Sequence, residues 1–473
     1  MVAALLSAAA MPFLTRLYRP EEFGLLAVFV ALVTTLGSMA TGRYELAIPR
    51  HRRHDQAFGI LLLATLCAAA GSLVFFIVLA AFRRPIMEVL SIRELGNWIL
   101  LAPLALFCLS VVSSANFWFT RSTQFRVQAI TQIVQSASRV AGQAVCGLAG
   151  MNAGGLVLGH VVSMMVGAGL IWRYVRRGAS APVGAPIGLR RMLALARLHR
   201  RLPQHGLSTS FINSVAFNLL PLVVVAAYGP GPAGLLLICQ QIIAQPAGML
   251  GQAIWRVTHG RLTPARLQRQ DAPLLFRQLQ MGVALLLGVP FAVLAAFSDF
   301  SGLVLGSGWS GVAALLPAFS LMVLVNTMSN CTSYFVAFGM YKAESVWNVV
   351  VLAGRVLAIL TGPALGLGAM ESILLYCYLS TAIYVALNLF WGLRLGNAPW
   401  FLAGLALVAF PLVLGGAWIG HGGSDAESRI LNLLLLIGGI GTISVALLSL
   451  AARFERNVAV DVRTVSSHAD SPR

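Results

Sequence analysis

Long apolar runs, separated by short polar and basic connections, follow one another from end to end of the chain. They lie at about 1–17, 23–47, 57–82, 97–119, 127–149, 153–174, 207–228, 233–256, 277–298, 312–336, 344–364, 370–393, 399–420 and 429–452. Most are close to the ~20 residues with which a helix crosses a bilayer. The pattern predicts an all-α polytopic membrane protein of about 14 transmembrane helices. The opening run, with Ser7 ahead of three alanines, lacks the charged leading region of a signal peptide. It reads as a first, shortened spanning helix, and the true start is expected upstream.

Within several runs the polar positions recur at steps of three and four, which puts each set on one helical face. Span five carries Gln128, Gln132, Gln135, Arg139 and Gln143, and span eight carries Gln241, Gln245, Gln252 and Arg256. Weaker stripes are Thr35, Ser38, Gly42 and Glu45 in span two, and Asn213 with Asn218 in span seven. Span ten has Asn326, Asn330 and Ser333, and span eleven has Asn348 with Arg355.

The same residues expose an internal repeat. Tyr18, Pro20, Gly24, Leu25 and Leu26 return 210 positions later as Tyr228, Pro230, Gly234, Leu235 and Leu236. Later in each half the offset is 216, carrying Ser113 onto Ser329, Phe119 onto Phe335, Arg126 onto Lys342 and Arg139 onto Arg355. Six spans per half is an even number, so the copies share an orientation, and parallel repeats place a substrate site at their interface. The expected organisation is an N-terminal lobe (1–174), a basic linker (175–206), a C-terminal lobe (207–394), two additional helices (395–452) and a tail (453–473). In the linker, apolar residues 189, 192, 193 and 196 share a face, which fits an interfacial helix or a solvated connection.

Charge refines the picture. Of 473 residues 58% are hydrophobic and 10% charged, against about 25% charged in soluble proteins, so an ordinary soluble enzyme is excluded. The net charge of +18 follows topology and does not call for nucleic acid. With a cytoplasmic N-terminus, 25 of the 33 basic residues fall in inside connections. That positive-inside asymmetry expects both termini in the cytoplasm, with anionic-lipid contacts there. Only Arg139 and Arg355 remain inside spans.

An arginine near mid-membrane costs ~2.5–3.5 kcal/mol on insertion scales and normally faces a bundle interior or a wet cavity. Two cations at repeat-equivalent positions are therefore expected to receive an anion. The individual Gln and Asn residues fit helix-to-helix hydrogen bonding as well as ligand contact. Arg43 and Glu45 fit a local pair as well as a functional one, and His160 fits packing as well as proton relay.

Catalytic and cofactor chemistry is not indicated. Lys342 is the only lysine and stands in no phosphate loop, and the six cysteines show no metal-ligand spacing. No connection is long enough for a catalytic domain, and no Ser/His/Asp or paired-carboxylate set shares a neighbourhood. An enzyme, a cofactor and a metal are all unexpected.

Segment 12–24 (PFLTRLYRPEEFG), segment 42–48 (GRYELAI), and Arg200, Arg201 and Pro203 leading to Tyr228 and Pro230 resemble the polysaccharide transporter family. That family belongs to the multidrug, oligosaccharidyl-lipid and polysaccharide exporter superfamily and includes O-antigen and capsule flippases. The likeness covers spans one to twelve. It implies a V-shaped pair of six-helix lobes around a cationic cavity in the bacterial inner membrane. It further implies translocation of undecaprenyl-pyrophosphate-linked repeat units for O-antigen, capsule or exopolysaccharide assembly, beside a polymerase and chain-length machinery.

On that resemblance Arg16, Arg43, Arg139 and Arg355 line the cavity and hold the pyrophosphate, with Glu45 lining it beside them. Gln132, Gln135, Gln143, Gln241, Gln245, Asn213, Asn330 and Asn348 meet sugar hydroxyls. No isolated acidic residue inside a span indicates a coupling-ion site. The alternative within the fold is a multidrug-type exporter, disfavoured because cationic drugs want buried carboxylates where this chain buries arginines. A membrane polymerase or ligase would need larger outside segments.

Overall fold

A computed structural model describes residues 2–51, 53–178, 189–251, 271–296, 298, 301–330 and 341–394. Expected spans thirteen and fourteen, the tail, Gln252, Arg256, Ser333 and Phe335 lie outside them, as does the linker from 179 to 188. Secondary structure among the described residues is helical throughout. Eight of the described helices are long and apolar enough to cross a membrane.

Proline and glycine set the breaks. The opening run forms two short helices, α1 (Val2–Ala9) and α2 (Met11–Leu17), because Pro12 has no amide with which to continue the ladder. Helix α3 (Pro20–Ala40) begins on Pro20, where a missing N–H does no harm. It ends at two consecutive left-handed residues, Gly42 (φ 64°) and Arg43 (φ 60°), which turn the chain into a 3-10 segment at Tyr44–Arg50.

Helix α4 (His54–Val89) has 36 residues, about 54 Å of helix and well beyond an apolar core of ~30 Å. It kinks at Phe82 (φ −113°, ψ 25°), three residues before Pro85. The apolar run predicted to end at 82 therefore ends at the kink.

A 3-10 segment (Arg93–Leu101) leads into α5 (Ala102–Arg121), followed by α6 (Phe125–Leu148), α7 (Asn152–Gly178) and α8 (Leu189–Leu198). Then come α9 (Arg201–Tyr228) and α10 (Pro230–Cys239), which continues through a π turn at Gln240–Ala244. The remaining helices are α11 (Asp271–Ala296), α12 (Ser301–Leu305), α13 (Gly311–Asn330), α14 (Tyr341–Ala364) and α15 (Ala369–Arg394).

These elements form two compact units. The first is Met1–Ile242 with Gly302–Ser310, and the second spans Ile243–Ser301 and Gly311–Arg473. Helices α9 and α10, which open the second repeat, belong to the first unit and pack on α3. At the end of that unit nearest the Tyr44–Arg50 segment, α4, α5, α7 and α8 close a core around Ile48, Ile60, Trp118, Phe119 and Ile171.

Linker helix α8 contributes Leu195 to this core, with Met192 buried beside it and Arg190 and Arg197 exposed. The helix is amphipathic, as its sequence predicts, yet much of its apolar face meets protein. In the second unit α15 packs on α13 and α14, and α11 packs on α13.

The short Ser307–Trp309 turn docks onto the first unit. Trp309 donates through Nε1 to Thr15 O (2.8 Å) and meets Phe23 edge-to-face at 5.2 Å, while Phe23 meets Tyr18 at 6.2 Å. Burying an indole requires such an acceptor for its N–H.

Candidate functional site

Helix α6 carries the longest polar stripe, and packing divides it. Gln128 donates through Nε2 to Asn116 O (2.6 Å) and Thr120 Oγ1 (3.0 Å) on α5. Gln135 donates to Met164 Sδ (3.0 Å) on α7. Gln143 is buried and donates to Leu156 O (3.2 Å), while its own carbonyl accepts from Tyr18 Oη (2.7 Å). These three amides tie α6 to its neighbours, the interhelical use of polar groups expected in a bundle.

Glycines allow the approach. A Cβ built on Gly159 would stand 2.6 Å from Gln143 N, and one on Gly142 3.1 Å from Gly159 Cα. Gln132, by contrast, is exposed, and Arg139 is half-buried.

Arg139 donates through Nη2 to Ser7 Oγ on α1 (2.8 Å). The Ser7 hydroxyl in turn donates to Ala3 O (3.1 Å), so its oxygen is free to accept from the guanidinium. His160 on α7 is buried, meets Phe29 edge-to-face at 6.3 Å and lies within electrostatic reach of Arg139.

In the second unit Arg355 on α14 donates through Nη2 to Tyr384 Oη (3.2 Å). Its Cζ lies 5.6 Å from the Tyr384 ring and 5.9 Å from the Tyr376 ring, within cation–π range of both. The Arg355 Nε is buried without a partner among the described residues. The offset of 216 that relates the two arginines also carries His160 onto Tyr376. Each arginine thus has an aromatic side chain at the equivalent place on the following helix.

Ion pairs among the described residues include Arg43–Glu45, Arg53–Asp55 and Arg93–Glu88. Neither Arg139 nor Arg355 meets a carboxylate there. Each is steadied by a neutral hydroxyl, and no described residue supplies a counter-charge.

Arg43 and Glu45 do pair locally, at 3.5 Å, with Glu45 only 4% exposed. Arg43 Nε and Glu45 Oε2 have no hydrogen-bond partner among the described residues. A left-handed non-glycine backbone at Arg43 beside a half-satisfied buried charge is the kind of strain that concentrates at functional positions.

The other expected residues are placed as follows. Arg16 is exposed on α2 and donates to Leu303 O (3.4 Å). Gln241 is buried in the π turn, while Gln245 is exposed. A π turn inserts an extra residue, so the step of four that would align two side chains on an α-helix no longer does. Asn348 is exposed on α14. Asn213 and Asn330 belong to α9 and α13, and their side chains lie outside the described residues.

One further polar cluster lies in the second unit. Gln280 on α11 donates to Asn388 Oδ1 (2.9 Å), and Asn388 donates to Ser329 Oγ (2.5 Å) and Tyr384 O (2.9 Å). All are buried, and Gln280 Oε1 has no partner among the described residues. Gln280 and Asn388 are not among the expected residues, and only Ser329 carried a signal, as the repeat partner of Ser113. The network braces α15 at Tyr384, the residue that holds Arg355. The chemistry on offer is guanidinium and amide hydrogen bonding, suited to anions and hydroxyls.

Residues 13–314 match a family described as polysaccharide biosynthesis protein. No curated protein sequence matches the chain. Among solved structures, the lipid II flippase MurJ in an inward closed conformation superposes with a TM-score of 0.62 at 13% identity, covering 97% of this chain and 99% of that one. A multidrug resistance MATE family transporter of the MOP superfamily, inward-facing, gives 0.59 at 12% identity, covering 84% and 95%. Likeness at these identities establishes the fold, and the family match extends over well over half of the sequence. The chain therefore belongs to the polysaccharide biosynthesis protein family, as a multi-pass membrane protein with the fold shared by MurJ and the MATE transporters.

Proposed function

We propose that this protein is a flippase for undecaprenyl-pyrophosphate-linked oligosaccharide repeat units, moving them across the bacterial inner membrane for surface polysaccharide assembly. The observation that carries the reading is the pair of repeat-equivalent arginines, Arg139 and Arg355, each half-buried and held by a hydroxyl in place of a carboxylate. A buried guanidinium without a counter-charge is unfavourable until an anion arrives. Pyrophosphate suits it, because the planar fork pairs with phosphate oxygens bidentately. Exposed amides such as Gln132 and Asn348 are offered to sugar hydroxyls. Membership of a polysaccharide biosynthesis family and the fold shared with a lipid II flippase support the same substrate class.

In this reading the lipid tail stays in the bilayer while the charged head passes the arginines during alternating access. The test is deletion of the gene in its host, with assay of surface polysaccharide and of lipid-linked repeat units in the inner membrane. Loss of polymer with accumulation of cytoplasm-facing units, restored by the intact gene, is the expected result. Unchanged polymer with altered resistance to small toxic compounds would overturn it in favour of an exporter.

A further inference from the structure

Between Glu94 and Asp271 the chain has no acidic residue, yet it carries fifteen arginines. Whatever balances their charge there must come largely from outside that segment. Near the C-terminal end of α7, Gly169, Trp172, Arg173, Arg176 and Arg177 line a shallow cavity, open on one side, of about 370 Å³, a size that suits a small ligand group. Their spacing puts them on one face of the helix. Ile171 and Val175, off that face, are fully buried in the core with Ile48 and Leu195, which fixes the rotation of the helix.

Three details describe a built site. The Arg176 Cζ lies 6.0 Å from the Trp172 ring, which orients that guanidinium. Gly169 forms an open floor, with nothing within 4 Å of where a Cβ would stand. The same face continues along the helix as Val162, Met165 and Val166, all exposed and apolar. Arginines in a last helical turn also favour the macrodipole. That accounts for Arg176 and Arg177, but not for Arg173, the glycine floor or the apolar track. Trp172 near the end of a span is of the residue type enriched at the lipid–water boundary.

We propose that this cavity binds the phosphodiester headgroup of an anionic glycerophospholipid of the surrounding bilayer, with its acyl chains along Val162, Met165 and Val166. Arginine pairs bidentately with phosphate, and the apolar track selects a phosphate that carries a lipid tail. The site does not depend on the transport reading, since it needs only a resident membrane lipid.

The test titrates the purified full chain in neutral detergent with phosphatidylglycerol and reads the thermal shift. Half-saturation should weaken about thirty-fold in Arg173→Gln/Arg177→Gln. Arg190→Gln/Arg197→Gln on α8 removes the same charge outside the cavity and should stay within about twofold of the unsubstituted protein. Gly169→Leu keeps every charge and fills the floor; it should weaken the lipid response as the arginine pair does, and it stands in should that pair fail to fold. Phosphatidylcholine should give no comparable shift, and any shift with inorganic pyrophosphate should be unchanged in Arg173→Gln/Arg177→Gln, because it would belong to Arg139 and Arg355. Equal weakening in the α8 pair would reduce the cavity to a general basic surface and overturn the proposal. A pyrophosphate shift that Arg173→Gln/Arg177→Gln weakens as much as the lipid shift would also overturn it, by showing a soluble-phosphate site.

Discussion

Gly24 of α3 and Gly234 of α10 face each other at a helix crossing where neither has room for a side chain. A Cβ on Gly24 would stand 1.8 Å from Pro230 O, and one on Gly234 1.8 Å from Pro20 O and 3.1 Å from Gly24 N. The two glycines occupy the same place in the two copies of the repeat, and so do the two prolines. The contact is therefore reciprocal: each copy offers its proline carbonyl to the glycine of the other. Close backbone approach at small residues is how helices associate where no hydrophobic effect drives them together.

Gly24→Ala and Gly234→Ala should each destabilise the protein by about 2–3 kcal/mol or more, since backbone and not a flexible side chain must yield. Thermal unfolding in detergent would read the loss. Because both residues serve one contact, the double substitution should fall well short of the sum. Full additivity would mean that the two glycines are not coupled.

Tyr18→Phe removes the hydroxyl donated to the Gln143 carbonyl while keeping the ring, against which Gly147 packs. A loss of about 1 kcal/mol is expected, seen as a modest drop in melting temperature. Tyr18→Ala should cost about 3–5 kcal/mol by opening a cavity as well. Equal effects of the two substitutions would show that the ring packing contributes nothing.

Arg43 sets two effects against each other. Arg43→Gly relieves a left-handed backbone by about 1–2 kcal/mol. It also leaves Glu45 buried without its cation, and because Arg43 is 29% exposed the loss is placed near 1–3 kcal/mol, below that of a fully buried pair. The single variant should gain nothing or lose stability, whereas Arg43→Gly/Glu45→Gln should recover it. Comparing melting temperatures of the two would decide the matter, and a more stable single variant would show the pair to be inert.

For transport, Arg139→Ala and Arg355→Ala should each reduce surface polysaccharide at unchanged protein level in the membrane. Lysine at either position should rescue in part, because the charge remains and the planar fork is lost. Tyr384→Phe keeps the ring over Arg355 while removing the hydroxyl, so it should reduce transport less than Arg355→Ala. Normal polymer in the double alanine variant would remove both arginines from the substrate path.

Much of this architecture was legible in the sequence. The offset of 210 located Gly24 and Gly234 as equivalents, whereas the run expected to end at 82 proves to be a helix that kinks at Phe82 and continues to Val89. What periodicity leaves out is the partner. Spacing put Gln128, Gln135 and Gln143 on a common stripe, but their acceptors belong to α5 and α7, and only packing decides that they link helices.

The π turn at Gln240–Ala244 escaped for a different reason, since a step of four implies a shared face only on a regular α-helix. Gln280 and Asn388 are 108 positions apart, and no local pattern connects them.

Helix α6 has a consequence for how the protein is made. It carries Arg126, Arg139 and four glutamines, and it is not among the helices apolar enough to cross a membrane unaided. Its partners come from both directions along the chain: Ser7 and Tyr18 are synthesised long before it, and α7 immediately after. Glycosylation mapping of chains truncated at residue 151 or at residue 178 should find α6 inserted only in the longer one. The nascent chain would then release α6 into the bilayer as half of a hairpin with α7, so that a residue suited to an anion enters lipid under the protection of a neighbour.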